Sequence, residues 1–164
     1  MPLDQVNLEA LLLQDGDFPA GIRAVDAKTN IPPLLNVAGV YSDITPAQRD
    51  GSTSFQLGGD VIGGSVVYLY AKPEDRQRAY LMVLEGLTKA RSLGTVGEAA
   101  MITVLTGALS ATEKLSGKTY TMVDIAFQRC HAVGYIRLRT TGDVEQMAKA
   151  YAQKLDTRLQ AAVC

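Results

Sequence analysis

Cys130 stands next to His131, the only histidine among 164 residues, and such a pair first suggests nucleophilic or metal chemistry. Successive strand residues point to opposite faces, so sequence neighbours are poor partners for proton transfer. No third residue orients the imidazole. One histidine and two distant cysteines, Cys130 and Cys164, do not make a tetrahedral ligand set. The pair therefore predicts neither a catalytic residue nor a metal, and His131 reads as a surface residue at a strand end. Gly117-Lys118-Thr119 has the ending of a phosphate-binding loop. Thr112 stands where that loop needs its first glycine, and a strand rather than a helix follows. Gly58, Gly59, Gly63 and Gly64 do not follow G-x-G-x-x-G, so they read as turn or bulge glycines. G-x-S-x-G is absent. No cofactor follows from any of these residues.

Carboxylates and tyrosines give the remaining candidates. Asp60, Glu98 and Asp124 fall near predicted strand ends or sheet faces, and nothing selects two of them as an acid pair. Asp124 should lie beside Arg137 or Tyr135 on one sheet face, where pairing with Arg137 is its simplest role. Tyr68 and Tyr70 share a face by the strand period of two. If no helix covers that face, they could line a shallow apolar site with Tyr135; otherwise they pack. The candidate binding set is thus Tyr68, Tyr70, Tyr135, Asp124 and Arg137, with no catalytic residue.

These side chains depend on the elements that carry them. Asn7 can cap a short helix through Leu13, ended by Asp15-Gly16. Pro19 and Gly21 make a turn before a short strand, Ile22 to Ala27. Pro32-Pro33 resists regular structure. Thr45-Pro46 opens a single helical turn through Gly51. A strand starts near Ser52 and leads to a hairpin or bulge at the glycines. Ser65 to Ala71 is the clearest strand, rich in β-branched and aromatic residues. Pro73, Glu74 and Asp75 open a helix whose stripe is Tyr80, Val83, Leu84 and Leu87. "EAAMITVL" is another strand, and Ser110 with Glu113 has capping-box spacing in the connection that follows. Two strands, Thr119 to Gln128 and His131 to Arg139, precede a long helix. Asp143 and Gln146 mark its start, and Val144, Met147, Ala148, Tyr151, Leu155 and Leu159 form its stripe. The late order β-α-β-β-β-α predicts a single α+β domain over residues 1–164: a mainly antiparallel sheet with helices packed on one face.

The last three elements bear on the two cysteines. A two-residue turn at Arg129-Cys130 sorts Val123, Ile125, Phe127, Ile136 and Leu138 onto one face with Ala132 and Gly134. The last strand then runs roughly 30 Å from the turn. The final helix returns roughly 28 Å. A helix packed antiparallel across the sheet brings Cys164 to the hairpin tip beside Cys130, within the reach a disulfide needs. The alternative is two free thiols, which a cytosolic setting favours.

Composition narrows the function classes. Hydrophobic residues are 47% and charged residues 20%, with a net charge of −1. That balance gives a globular core and no basic excess for nucleic acid. No apolar run reaches the length of a bilayer span. The opening "MPLDQVNLEA" lacks the regions of a signal peptide. The expected location is extracytoplasmic or at the cell surface, with the export segment, and any membrane tether, lying outside this chain. A cytoplasmic location is the alternative.

"LLLQDGDFPAGI", "GTVGEAAMI", "VDIAFQRCHAVGYIRLR" and "DVEQMAKAYAQKLDTRL" together resemble exported bacterial lipoprotein or sensor-like α+β domains of unknown function. In such domains the hairpin turn often carries glycine, and Cys130 departs from that pattern. The resemblance carries over no catalytic residue. It implies a non-catalytic binding or sensor-type domain that recognises a small molecule or a protein. The alternatives are a small cytosolic enzyme or enzyme subunit with its site at a dimer interface, and a structural subunit that pairs through a sheet edge.

Overall fold

The structure, a computed structural model, describes residues 2–29, 47–108 and 117–164. The Pro32-Pro33 reading and the Ser110–Glu113 capping box lie outside them. Asn7 caps α1 (Leu8–Leu11) by accepting a hydrogen bond from the Ala10 N–H at 3.3 Å. The strands β1 (Ile22–Thr29), β2 (Arg49–Leu57) and β3 (Asp60–Leu69) form a meander. Next come α2 (Pro73–Glu85), the two-residue β4 (Arg91–Ser92), β5 (Ala99–Ala108), β6 (Thr119–Arg129) and β7 (Ala132–Thr140). The chain ends in α3 (Val144–Val163), whose cap Asp143 accepts from the Gln146 N–H at 3.4 Å. All seven strands join one antiparallel sheet in the order β1-β2-β3-β7-β6-β5-β4. The fold is α+β, as expected. Thr45 and Pro46, which open the expected helical turn, lie outside the described residues, and over 47–51 no helical turn forms: Arg49, Asp50 and Gly51 pair with Leu69, Tyr68 and Val67 as the start of β2. Those ladder bonds satisfy backbone groups that a single turn leaves open.

Gly58 and Gly59 connect β2 to β3 with φ of 57° and 86°, the left-handed pair that a tight hairpin favours. A bulge near Phe55 and Gln56 follows, so the glycine segment is both hairpin and bulge. The last hairpin turns at Cys130-His131, one residue later than expected, with Cys130 at φ 45°. Arg129 pairs with Ala132 and Phe127 with Gly134. This register differs from the expected one by two residues on the partner strand, and because strands have a period of two the sorting of faces survives. The longer β6 brings Arg129 within reach of α3, as described below. His131 is therefore a turn residue rather than the first residue of a strand.

The inner face carries the main core. Val123, Ile125, Phe127, Ile136 and Leu138 are fully buried there against Ala148, Ala152, Leu155 and Leu159 of α3. Each such leucine contributes about 2 kcal/mol by leaving water. Phe18, Phe55 and Tyr151 form an aromatic group in the same core, with centroids 4.8 to 5.8 Å apart. Gly134 is required where it stands, since a Cβ would meet the Phe127 ring at 2.3 Å. Two helices, α1 and α3, cover this face, but α2 packs on the opposite one. Its Ala79 and Tyr80 join Tyr68, Tyr70, Ala126 and Val133 in a second, smaller core. The one-face expectation thus holds for two helices of three. The reason is the strand period: with Val67 and Leu69 facing inward, Tyr68 and Tyr70 face outward and need a cover of their own.

Candidate functional site

Cys130 and Cys164 are joined by a disulfide, with Cα atoms 5.4 Å apart. Its surroundings are structural. Arg129 donates from Nε and Nη2 to the two carboxylate oxygens of Asp156, both at 2.7 Å. The Gly97 N–H adds a third bond to Asp156 at 2.9 Å. The Cys130 N–H donates to Glu98 Oε1 at 2.9 Å, and Arg76 donates to Glu98 Oε2 and to the Cys130 carbonyl. His131 Nδ1 donates to the Tyr70 carbonyl at 2.9 Å. The hairpin tip is thus fixed to α2, to α3 and to the start of β5. Nothing there leaves the imidazole beside a reactive thiol, because the sulfur is already bonded.

The five candidate binding residues share the outer face but divide into two groups. Asp124, Tyr135 and Arg137 come together. Asp124 accepts from the Tyr135 hydroxyl at 2.6 Å, from Arg137 Nε at 2.7 Å and from Arg137 Nη2 at 3.1 Å. Burial, followed by the bond to Asp124, pushes the Tyr135 hydroxyl well above the ordinary tyrosine range. Its own hydrogen bonds to Asp124 hold the Arg137 guanidinium even more firmly protonated. A carboxylate with this many donors has little left to offer a ligand. Nearby, Arg139 stacks on the Tyr120 ring at 5.1 Å.

Tyr68 and Tyr70 lie under α2, each 2% exposed, so the open tyrosine-lined surface does not form. One of them nevertheless reaches a cleft. Beside the first turn of α2, a cleft of about 540 Å³ is lined by Gln48, Tyr70, Ala71, Lys72, Glu74, Asp75 and Arg78. Among these, Tyr70 is the buried residue and Asp75 is half-buried, so Tyr70 makes the floor. The Tyr70 hydroxyl is buried and has no hydrogen-bond partner among the described residues. Desolvation drives its pKa strongly upward, with further push from Tyr68 and the carboxylates of Asp50 and Asp75. It therefore stays a neutral donor. The Lys72 side chain makes no cap bond to the helix, and first-turn N–H groups of a helix have no intrahelical acceptor.

The tyrosine period identified Tyr70 from sequence, but the cleft was missed. Gln48 joins from the residue just before β2, which the expected helical turn concealed. The unused signal was the sequence "YAKPEDRQR": an aromatic strand end running directly into a charged helix start. Among the described residues no group of three or more histidine, cysteine or carboxylate side chains is placed to hold a metal. No described helix is long and apolar enough to cross a membrane. Comparison with known protein families, curated proteins and solved structures finds no match for this chain.

Proposed function

We propose that this chain is a non-catalytic binding or sensor-type domain of the exported lipoprotein-like kind, and that it recognises a small molecule in the cleft at the start of α2. One observation carries the reading: Tyr70 is the buried residue of a cleft lined by charged and amide groups, and its hydroxyl has no hydrogen-bond partner among the described residues. Buried polar groups are nearly always paired, and an unpaired one costs about 1–3 kcal/mol. Of the described residues with a buried, unpaired side-chain polar atom, Tyr70 is the one that lines this cleft. The cleft volume lies within the range of small-molecule sites. An extracytoplasmic location is supported by the Cys130–Cys164 disulfide, since such bonds persist in oxidising compartments.

The test compares the full chain with Tyr70→Phe. Without ligand, the variant should be more stable by about 1 kcal/mol, because it removes an unpaired buried hydroxyl and leaves the packing intact. In a thermal-shift screen of small metabolites, a specific ligand raises the melting temperature of the parent by mass action. That rise should shrink in Tyr70→Phe. A variant less stable than the parent, together with a screen in which no compound separates the two proteins, overturns the reading.

A further inference from the structure

The sheet has two edges, and they are built differently. At β1 the exposed charged residues Arg23, Asp26 and Lys28 line the edge strand, the register shifts between Val25 and Lys28, and Asp26 stands at φ 51°. Charge and a bulge are common ways to keep an edge from pairing. At the other edge β4 covers only Met101 and Ile102 of β5. From Val104 to Ala108 no described strand lies on that side of β5, and the run Val-Leu-Thr-Gly-Ala carries neither charge nor proline. Val104 and Leu105 are 37% and 38% exposed there.

The backbone decides how this edge can pair. The Ala100 carbonyl accepts from the Leu93 N–H on the β4 side at 2.9 Å. Backbone groups of alternate strand residues point to the same side, and β5 pairs with β6 without a register shift. The N–H and C=O groups of Val104, Thr106 and Ala108 therefore point outward, past the end of β4. An antiparallel strand of the same sequence uses all three when Thr106 lies on a twofold axis. Thr106 then faces its own copy and Val104 faces Ala108, and each pair exchanges both N–H···O bonds. A pivot one residue earlier would set Ala108 against Ile102, which β4 already occupies. On the outer face the Thr106 pivot sets Leu105 opposite Gly107. A Cβ on Gly107 would meet the Tyr120 ring at 2.9 Å, so that ring lies over the glycine. Leu105 is thus offered an aromatic surface and no opposing side chain.

We propose that this chain forms a dimer by antiparallel pairing of β5 with β5 of a second copy about a twofold axis at Thr106, giving one sheet continuous across both copies. The charged, bulged β1 at each far end keeps the sheet from extending further, so the assembly closes at two.

Sedimentation velocity of the full, oxidised chain tests this. A contact of this length belongs to the small, transient class of interfaces, so the concentration runs from about 1 μM to about 1 mM. The mass should rise towards twice 17.6 kDa. Thr106 is exposed and meets its own copy across the axis. Thr106→Lys and Thr106→Glu should each weaken association at least about tenfold, because like charges then face each other. An equimolar mixture of the two variants should dimerise again. Amide hydrogen exchange of the parent needs no variant and decides alone if either one fails to fold. Val104, Thr106 and Ala108 should exchange about tenfold more slowly at the top of the concentration range than at the bottom. A parent that stays a monomer overturns the proposal and leaves the edge to an extended segment of another protein. Masses that grow past the dimer, a dimer untouched by either charge, no recovery in the mixture, or exchange at these three amides that ignores concentration overturns it as well.

Discussion

At the scale of single residues, Asp156 shows how a charge can stand inside an apolar stripe. It lies on the buried side of α3 between Ala152 and Leu159, and is 5% exposed. It is tolerated because Arg129 meets it with a two-pronged bond and the Gly97 N–H adds a third. That bond raises the Arg129 pKa, so the guanidinium stays charged. Asp156→Ala removes every one of these acceptor contacts and leaves a largely buried guanidinium unpaired. It should cost about 3 kcal/mol of stability, read as a lower urea midpoint at unchanged slope. A loss comparable to an exposed ion pair would show that water replaces the carboxylate. The sequence held a hint, since a carboxylate occurs at a core position of the strongest helical stripe. Its partner was not legible. Arg129 reaches Asp156 only because the turn falls at Cys130-His131, and turn position depends on a backbone angle that the Arg-Cys-His run does not announce.

At the scale of elements, the last hairpin and α3 form a closed loop. The disulfide joins residues separated by 34 positions, clasping the end of α3 to the tip between β6 and β7. A cross-link over such a loop stabilises by about 3–4 kcal/mol on the loop-entropy model. The replacement of Cys164 by serine should therefore lower stability by roughly that amount while leaving the α3 packing in place. Intact mass should rise by two hydrogens on reduction, and labelling of both thiols without reductant would show that the bond does not exist. The return of α3 was legible from two lengths, a strand and a helix that nearly match. The face chosen by α2 was not. Its stripe of Tyr80, Val83, Leu84 and Leu87 is an ordinary amphipathic pattern, and only the outward tyrosines of β3 decide which side it covers.

For the whole molecule, the two cores differ in how they respond to pH. The main core buries one phenol, Tyr151, its pKa raised by desolvation alone, whereas the outer one sets buried phenols against charged groups. Tyr70 faces Tyr68, Asp50 and Asp75, and Tyr135 faces Asp124 and Arg137. Both hydroxyls are held above their ordinary range in the folded state. Their contribution is fully present below the unfolded tyrosine pKa of about 10 and is lost as pH rises above it, since the unfolded chain then releases protons that the folded chain keeps. Stability should fall steeply above about pH 10, and Tyr70→Phe should flatten that fall. An identical alkaline slope in parent and variant would contradict the burial of that phenol. The sequence by itself determined the α+β class, most of the elements and the sorting of the last hairpin, and it brought Cys164 to Cys130 with two free thiols as the alternative to a bond. These follow from periodicity, capping and element length, which are local. Tertiary structure alone decided that α2 and α3 take opposite faces, that Asp124 is used up by its neighbours, and that Tyr70, its hydroxyl unpaired among the described residues, lines a cleft. Those outcomes depend on which groups meet across the sheet, and that meeting is a long-range balance of burial and pairing.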